Sequence, residues 1–114
     1  MAEEAARAVR IAQKRAGTAV CHGLAGNGEF LIDMAAFVSP VYGDWVKEHA
    51  VALLGKRIER SGRKLIPDES GTDFTADYNT GTSGITCFLD RAKTFQPRIW
   101  MLDELIPLPT SLRI

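Results

Sequence analysis

A nine-residue frame that occurs twice constrains this chain more than anything else in it. Gly23-Leu24-Ala25-Gly26-Asn27-Gly28-Glu29-Phe30-Leu31 and Gly81-Thr82-Ser83-Gly84-Ile85-Thr86-Cys87-Phe88-Leu89 share the pattern Gly-x-x-Gly-x-x-x-Phe-Leu, with Gly81 standing 58 residues after Gly23. A repeat at that spacing points to an array of helical hairpins, each too small to bury its own face. The paired glycines Gly23, Gly26, Gly81 and Gly84 suit sharp turns into helices, where close backbone contact excludes a Cβ. The amides at such helix starts point towards whatever lies in front of the loop.

The intervening stretches read as helices with polar breaks. The residues from Ala2 to Ala16 form the first, with Glu3 and Glu4 near its start and a small-residue stripe of Ala5, Val9, Ala12 and Ala16. The second runs from about Asn27 to Val38 and buries Phe30, Leu31, Met34, Phe37 and Val38. The third runs from about Asp44 to Arg60, buries Val46, Ala50, Leu53, Leu54 and Ile58, and is weakened at Gly55. A long polar segment follows, from about Arg63 to Thr80. The fourth helix spans roughly Ser83 to Lys93, and the apolar run Ile99-Trp100-Met101-Leu102 reads as a short extended segment near the C-terminus. The fold class is therefore all-α.

With 114 residues the chain is one domain's worth, and 46% hydrophobic residues supply a core, so disorder is not expected. Zero formal net charge gives no global field for nucleic acid or a membrane surface. No apolar run approaches the roughly 20 residues of a membrane span. Two cysteines outside any paired scaffold fit a reducing cytoplasm.

Cys21-His22 precedes the first glycine pair and joins a thiol to an imidazole on a turn. Cys-His-Gly-x-x-Gly-Asn, followed by an apolar helix and a later Gly-x-x-Gly helix, resembles the lanthionine synthetase C-like family. Asp77-Tyr78-Asn79-Thr80-Gly81 and the tail Pro97-Arg98-Ile99-Trp100-Met101-Leu102 look like the C-terminal end of its kinase-fused members. The resemblance covers about Ala5 to Leu105. It implies an α/α toroid, an inner ring of helices within an outer one. It also implies Zn2+ at one end, held by two cysteines and a histidine, with water or a substrate thiolate in the fourth place.

By that resemblance Cys21 and His22 match two of the three zinc ligands. The implied activity adds cysteine thiols of a precursor peptide to dehydroalanine or dehydrobutyrine, forming thioether rings. The family's other cysteine ligand, in a Trp-Cys-x-Gly setting, is expected before Ala5, and its acid/base histidine earlier still. Neither has a counterpart in this sequence, so no catalytic residue is assigned. Residues 1–114 are expected to form a single partial domain, completed by the rest of a synthetase chain or by self-association.

Other residues keep two readings. Cys87 is a core cysteine or a substitute ligand. Asp77 and Tyr78 line a central cavity or cap a loop. Glu29 and Asp33, one helical turn apart, are solvated or capping residues or a carboxylate pair. A toroidal sugar hydrolase would need two inner carboxylates facing a cleft, and this pair alone is a weak case. His49 sits at the surface or in helix packing. The basic residues Lys56, Arg57, Arg60, Arg63 and Lys64 form a solvated face or touch an acidic leader peptide. Gly-x-x-Gly-x-Gly is not the dinucleotide-binding order. Two functions follow: a segment of a zinc-dependent cyclase, or a non-catalytic module that binds a peptide or thiol or completes another chain's toroid.

Overall fold

A computed structural model describes residues 1–95. They are mostly helical: α1 (Ala2–Ala12), α2 (Leu24–Phe37), α3 (Tyr42–Leu54) and α4 (Thr82–Thr94), with one hairpin of β1 (Ile58–Arg60) and β2 (Arg63–Leu65) between α3 and α4. The tail segment 99–102 lies outside the described residues.

The helix α2 is the centre of the packing and touches α1, α3 and α4. Being covered on several sides, it buries Leu24, Ala25, Leu31, Ile32 and Met34 rather than one stripe. Ile32, on no expected apolar face, is buried, whereas Phe37 and Val38 at the far end are half exposed. Gly28 lies inside this helix because α4 comes so close. A Cβ at Gly28 would stand 2.2 Å from the ring of Phe88, which is itself fully buried.

The helix α1 ends four residues earlier than its alanine spacing suggests. The amides of Arg15 and Ala16 both reach back to the Ala12 carbonyl (2.9 and 3.1 Å), which tightens the last turn and aims the chain at Gly17. Its buried residue is Ala6, one position away from the expected stripe. Arg10 ties it to α3, forking onto Glu48 at 2.9 and 2.7 Å and lying 4.6 Å above the Trp45 ring.

The helix α3 stops at Leu54, with Gly55 as its C-cap rather than a weak point in its middle. Residues expected to continue it to Arg60 turn back instead. Ser61 and Gly62 both take positive φ (53° and 75°), the geometry of a two-residue hairpin turn. Ile58 then faces Leu65, Glu59 faces Lys64 and Arg60 faces Arg63. His49 is fully buried within α3, and its Nδ1–H donates to the Trp45 carbonyl at 2.9 Å.

Among the described residues, no helix is long and apolar enough to cross a membrane.

Candidate metal centre

The two glycine loops fold alike and meet. In the first, the amides of Leu24, Ala25 and Gly26 donate to the carbonyls of Gly17, Thr18 and Ala19 at 2.8, 3.3 and 3.2 Å. In the second, the amide of Thr82 donates to the Thr75 carbonyl at 2.7 Å, and the Ser83 hydroxyl to the Ala76 carbonyl at 2.5 Å. The Leu24–Gly17 bond recurs 58 residues on as Thr82–Thr75, and the Ala25–Thr18 position recurs as Ser83–Ala76 with a hydroxyl in place of the amide. The first turn of α2 thus spends its amides on its own loop, where the sequence suggested that they face a ligand.

The glycines are enforced by this closure. A Cβ at Gly23 would lie 2.6 Å from the Ala19 amide nitrogen, and one at Gly26 would lie 1.9 Å from the Val20 carbonyl oxygen. In the second loop, a Cβ at Gly81 would be 2.3 Å from the Thr75 carbonyl oxygen, and one at Gly84 would be 2.0 Å from that of Tyr78. No real Cβ tolerates such separations from backbone.

Cys21 and His22 stand on the exposed tip of the first loop, and Cys21 is a free thiol. The Cys21 amide donates to the carbonyl of Asn79, its own counterpart in the second loop, at 2.8 Å. Asn79 and Thr80 thus occupy the places that Cys21 and His22 hold in the first copy. The imidazole Nε2 of His22 is 3.2 Å from a carboxylate oxygen of Glu69. Glu69 is held by its amide on the Thr80 carbonyl (3.0 Å), and the same segment is tied to the first loop by Thr18 Oγ1 donating to the Pro67 carbonyl (2.8 Å). No motif marked Glu69, because its role depends on three segments meeting.

Asp77 is exposed and accepts hydrogen bonds from the Thr80 amide and hydroxyl at 2.8–2.9 Å. These bonds, the amide's first, hold its carboxyl below the usual carboxylate range. A lowered folded pKa adds stability above the ordinary aspartate value of 3.8, which is lost as pH falls through the folded pKa. Amide exchange at Thr80 is therefore expected to speed up in acid beyond its intrinsic pH dependence, and Asp77→Asn is expected to flatten that excess. Tyr78 is half-buried beside Asp77, and its carbonyl is the one that crowds Gly84.

Cys87 is half-buried on α4. Glu29 is not solvated. Its carboxylate is buried and bonds to Arg91 of α4, whose other arm reaches Asp33 at 3.0 Å.

Among the described residues, no three His, Cys, Asp or Glu side chains gather as a metal shell. Cys21 and His22 are a thiol and an imidazole on one exposed tip, a pair that could form part of a zinc shell and not a whole one.

The fold and this loop pair define an all-α helical-hairpin repeat protein. The family model described as lanthionine synthetase C-like protein matches residues 1–101, and the chain belongs to that family. No curated protein matches the sequence.

Proposed function

We propose that the chain is the C-terminal segment of a zinc-dependent lanthipeptide cyclase, with residues 1–114 forming one partial domain of an α/α toroid. The observation that carries this reading is the exposed Cys21-His22 tip, pinned to the second glycine loop through the Asn79 carbonyl. The Cys21 amide bond to Asn79 ties the two loops together, and both donor residues are exposed. The Glu69 carboxylate lies against His22 Nε2 and leaves Nδ1 for a metal, the arrangement by which carboxylates orient metal-binding imidazoles. Zn2+, when bound, favours the anionic form of a substrate cysteine thiol near neutral pH. The third donor, and the acid that protonates the enolate after thiol addition, come from outside the described residues.

Exposed Ile11, Phe37, Val41 and Val51 support a partner that covers this piece, either the rest of a synthetase chain or a second copy. The substrate is a precursor peptide carrying cysteine and dehydrated residues, met in the cytoplasm. The incomplete donor set favours a second reading, a non-catalytic module that completes another chain's toroid.

The test is metal analysis and cyclisation assay on the chain joined to the family's upstream toroid portion. Cys21→Ala is expected to abolish zinc binding and cyclisation without lowering the melting temperature. Glu69→Ala is expected to weaken zinc binding about tenfold. Cys87→Ala is expected to keep zinc and to cost about 1 kcal/mol of stability. Full zinc and activity in Cys21→Ala, with both lost in Cys87→Ala, would move the site to the second repeat. Zinc-loaded wild-type chain without cyclisation would favour the non-catalytic reading.

A further inference from the structure

A cavity of about 330 Å³ opens between the end of α3, the hairpin and the first half of α4. Leu54, Leu65, Ile85 and Leu89 supply apolar walls, and Arg57 and Lys64 bring cations to it. These two belong to a run of five cations between Lys56 and Lys64 that contains one acid, Glu59, in a chain of zero net charge. Among the described residues, none of the five is ion-paired. The hairpin register even sets Arg60 opposite Arg63, a like-charge pair that costs stability. Among the described residues the sheet has two strands, so β2, which borders the cavity, keeps an open edge there.

We propose that β2 and this cavity bind an extended acidic peptide. Its main chain adds as a third strand to the open edge of β2, one bulky apolar side chain fills the cavity, and its carboxylates meet Arg57 and Lys64. The volume suits one large side chain. Among the described residues the one aromatic ring lining the cavity, Phe74, is already covered by the Arg60 guanidinium at 4.8 Å, so no stacking platform is offered to a nucleobase. The site shares no residue with the Cys21–His22 tip and does not depend on the metal reading.

The test is fluorescence anisotropy of the full chain with a labelled nonapeptide of glutamate and threonine around one central leucine. Saturable binding that weakens with added salt is expected. It should fall about tenfold or more in the Arg57→Glu, Lys64→Glu double variant, because two contacts become repulsive. A similar loss is expected in Thr86→Trp, which fills the cavity without changing charge, and when glycine replaces the peptide's leucine. Circular dichroism of both variants should match the parent's. The proposal is overturned by no binding, by equal affinity in both correctly folded variants, by a lysine-for-glutamate peptide binding as well, or by a single-stranded oligonucleotide that displaces the peptide and ignores Thr86→Trp.

Discussion

Replacing Arg91 with leucine is expected to destabilise the protein by about 3–5 kcal/mol, read as a lower urea midpoint with little change in slope. The Arg91 side chain is only 10% exposed and that of Glu29 only 6%, so water screens their pair weakly. Removing the guanidinium takes the Arg91 cation away from the buried Glu29 carboxylate. The second arm of the fork, on Asp33 at 3.0 Å, is lost as well, though Asp33 is 37% exposed and contributes less. Glu29→Gln should cost less than Arg91→Leu, because the remaining cation keeps Asp33. A double change of Glu29 and Arg91 to leucine should recover much of the loss, since apolar replacement of a buried pair is often near neutral. A loss under about 1 kcal/mol in Arg91→Leu would show that the pair is solvated in solution.

The second large effect is expected at Gly26. Its missing Cβ would sit 1.9 Å from the Val20 carbonyl oxygen, an atom that cannot rotate away. Gly26→Ala must either open the loop or push α2 outward, at about 3 kcal/mol. Cys21 follows Val20 directly, so the same shift displaces the Cys21-His22 tip. Gly84→Ala should behave alike, with 2.0 Å to the Tyr78 carbonyl oxygen. Gly17 provides the control. Nothing lies within 4 Å of its Cβ position, and its counterpart one repeat on is Thr75, which already carries a side chain. Gly17→Ala should stay within about 0.5 kcal/mol of the parent. Equal costs at Gly17 and Gly26 in thermal melts would mean that backbone freedom, not crowding, explains these glycines.

The four helices were readable because apolar spacing and glycine breaks are local signals. The glycine frame was readable as a repeat, and its loops do close alike. The hairpin was not, since Ile58-Glu59-Arg60 continues the helical charge pattern of α3 and only the Ser61-Gly62 turn separates it from β2. Glycine at 62 reads as a helix stop as easily as a turn. Glu29 and Asp33 were legible as neighbours, but the cation between them comes from α4, 62 and 58 residues away. Glu69 was hidden for the same reason, because no spacing rule brings residue 69 to residue 22. The Cys21-His22 motif was visible at once. What it can hold depends on donors that no local pattern within residues 1–95 supplies.

The ion pair between Asp33 and Arg91 joins a residue to its own counterpart one repeat later. Two copies of the first hairpin set side by side would place an aspartate against an aspartate, and two copies of the second would oppose two arginines. Only unlike neighbours close the contact, whichever of the two comes first. At this position neither hairpin is its own complement. The pair therefore selects unlike hairpins as neighbours, independently of the apolar packing that any two such helices share.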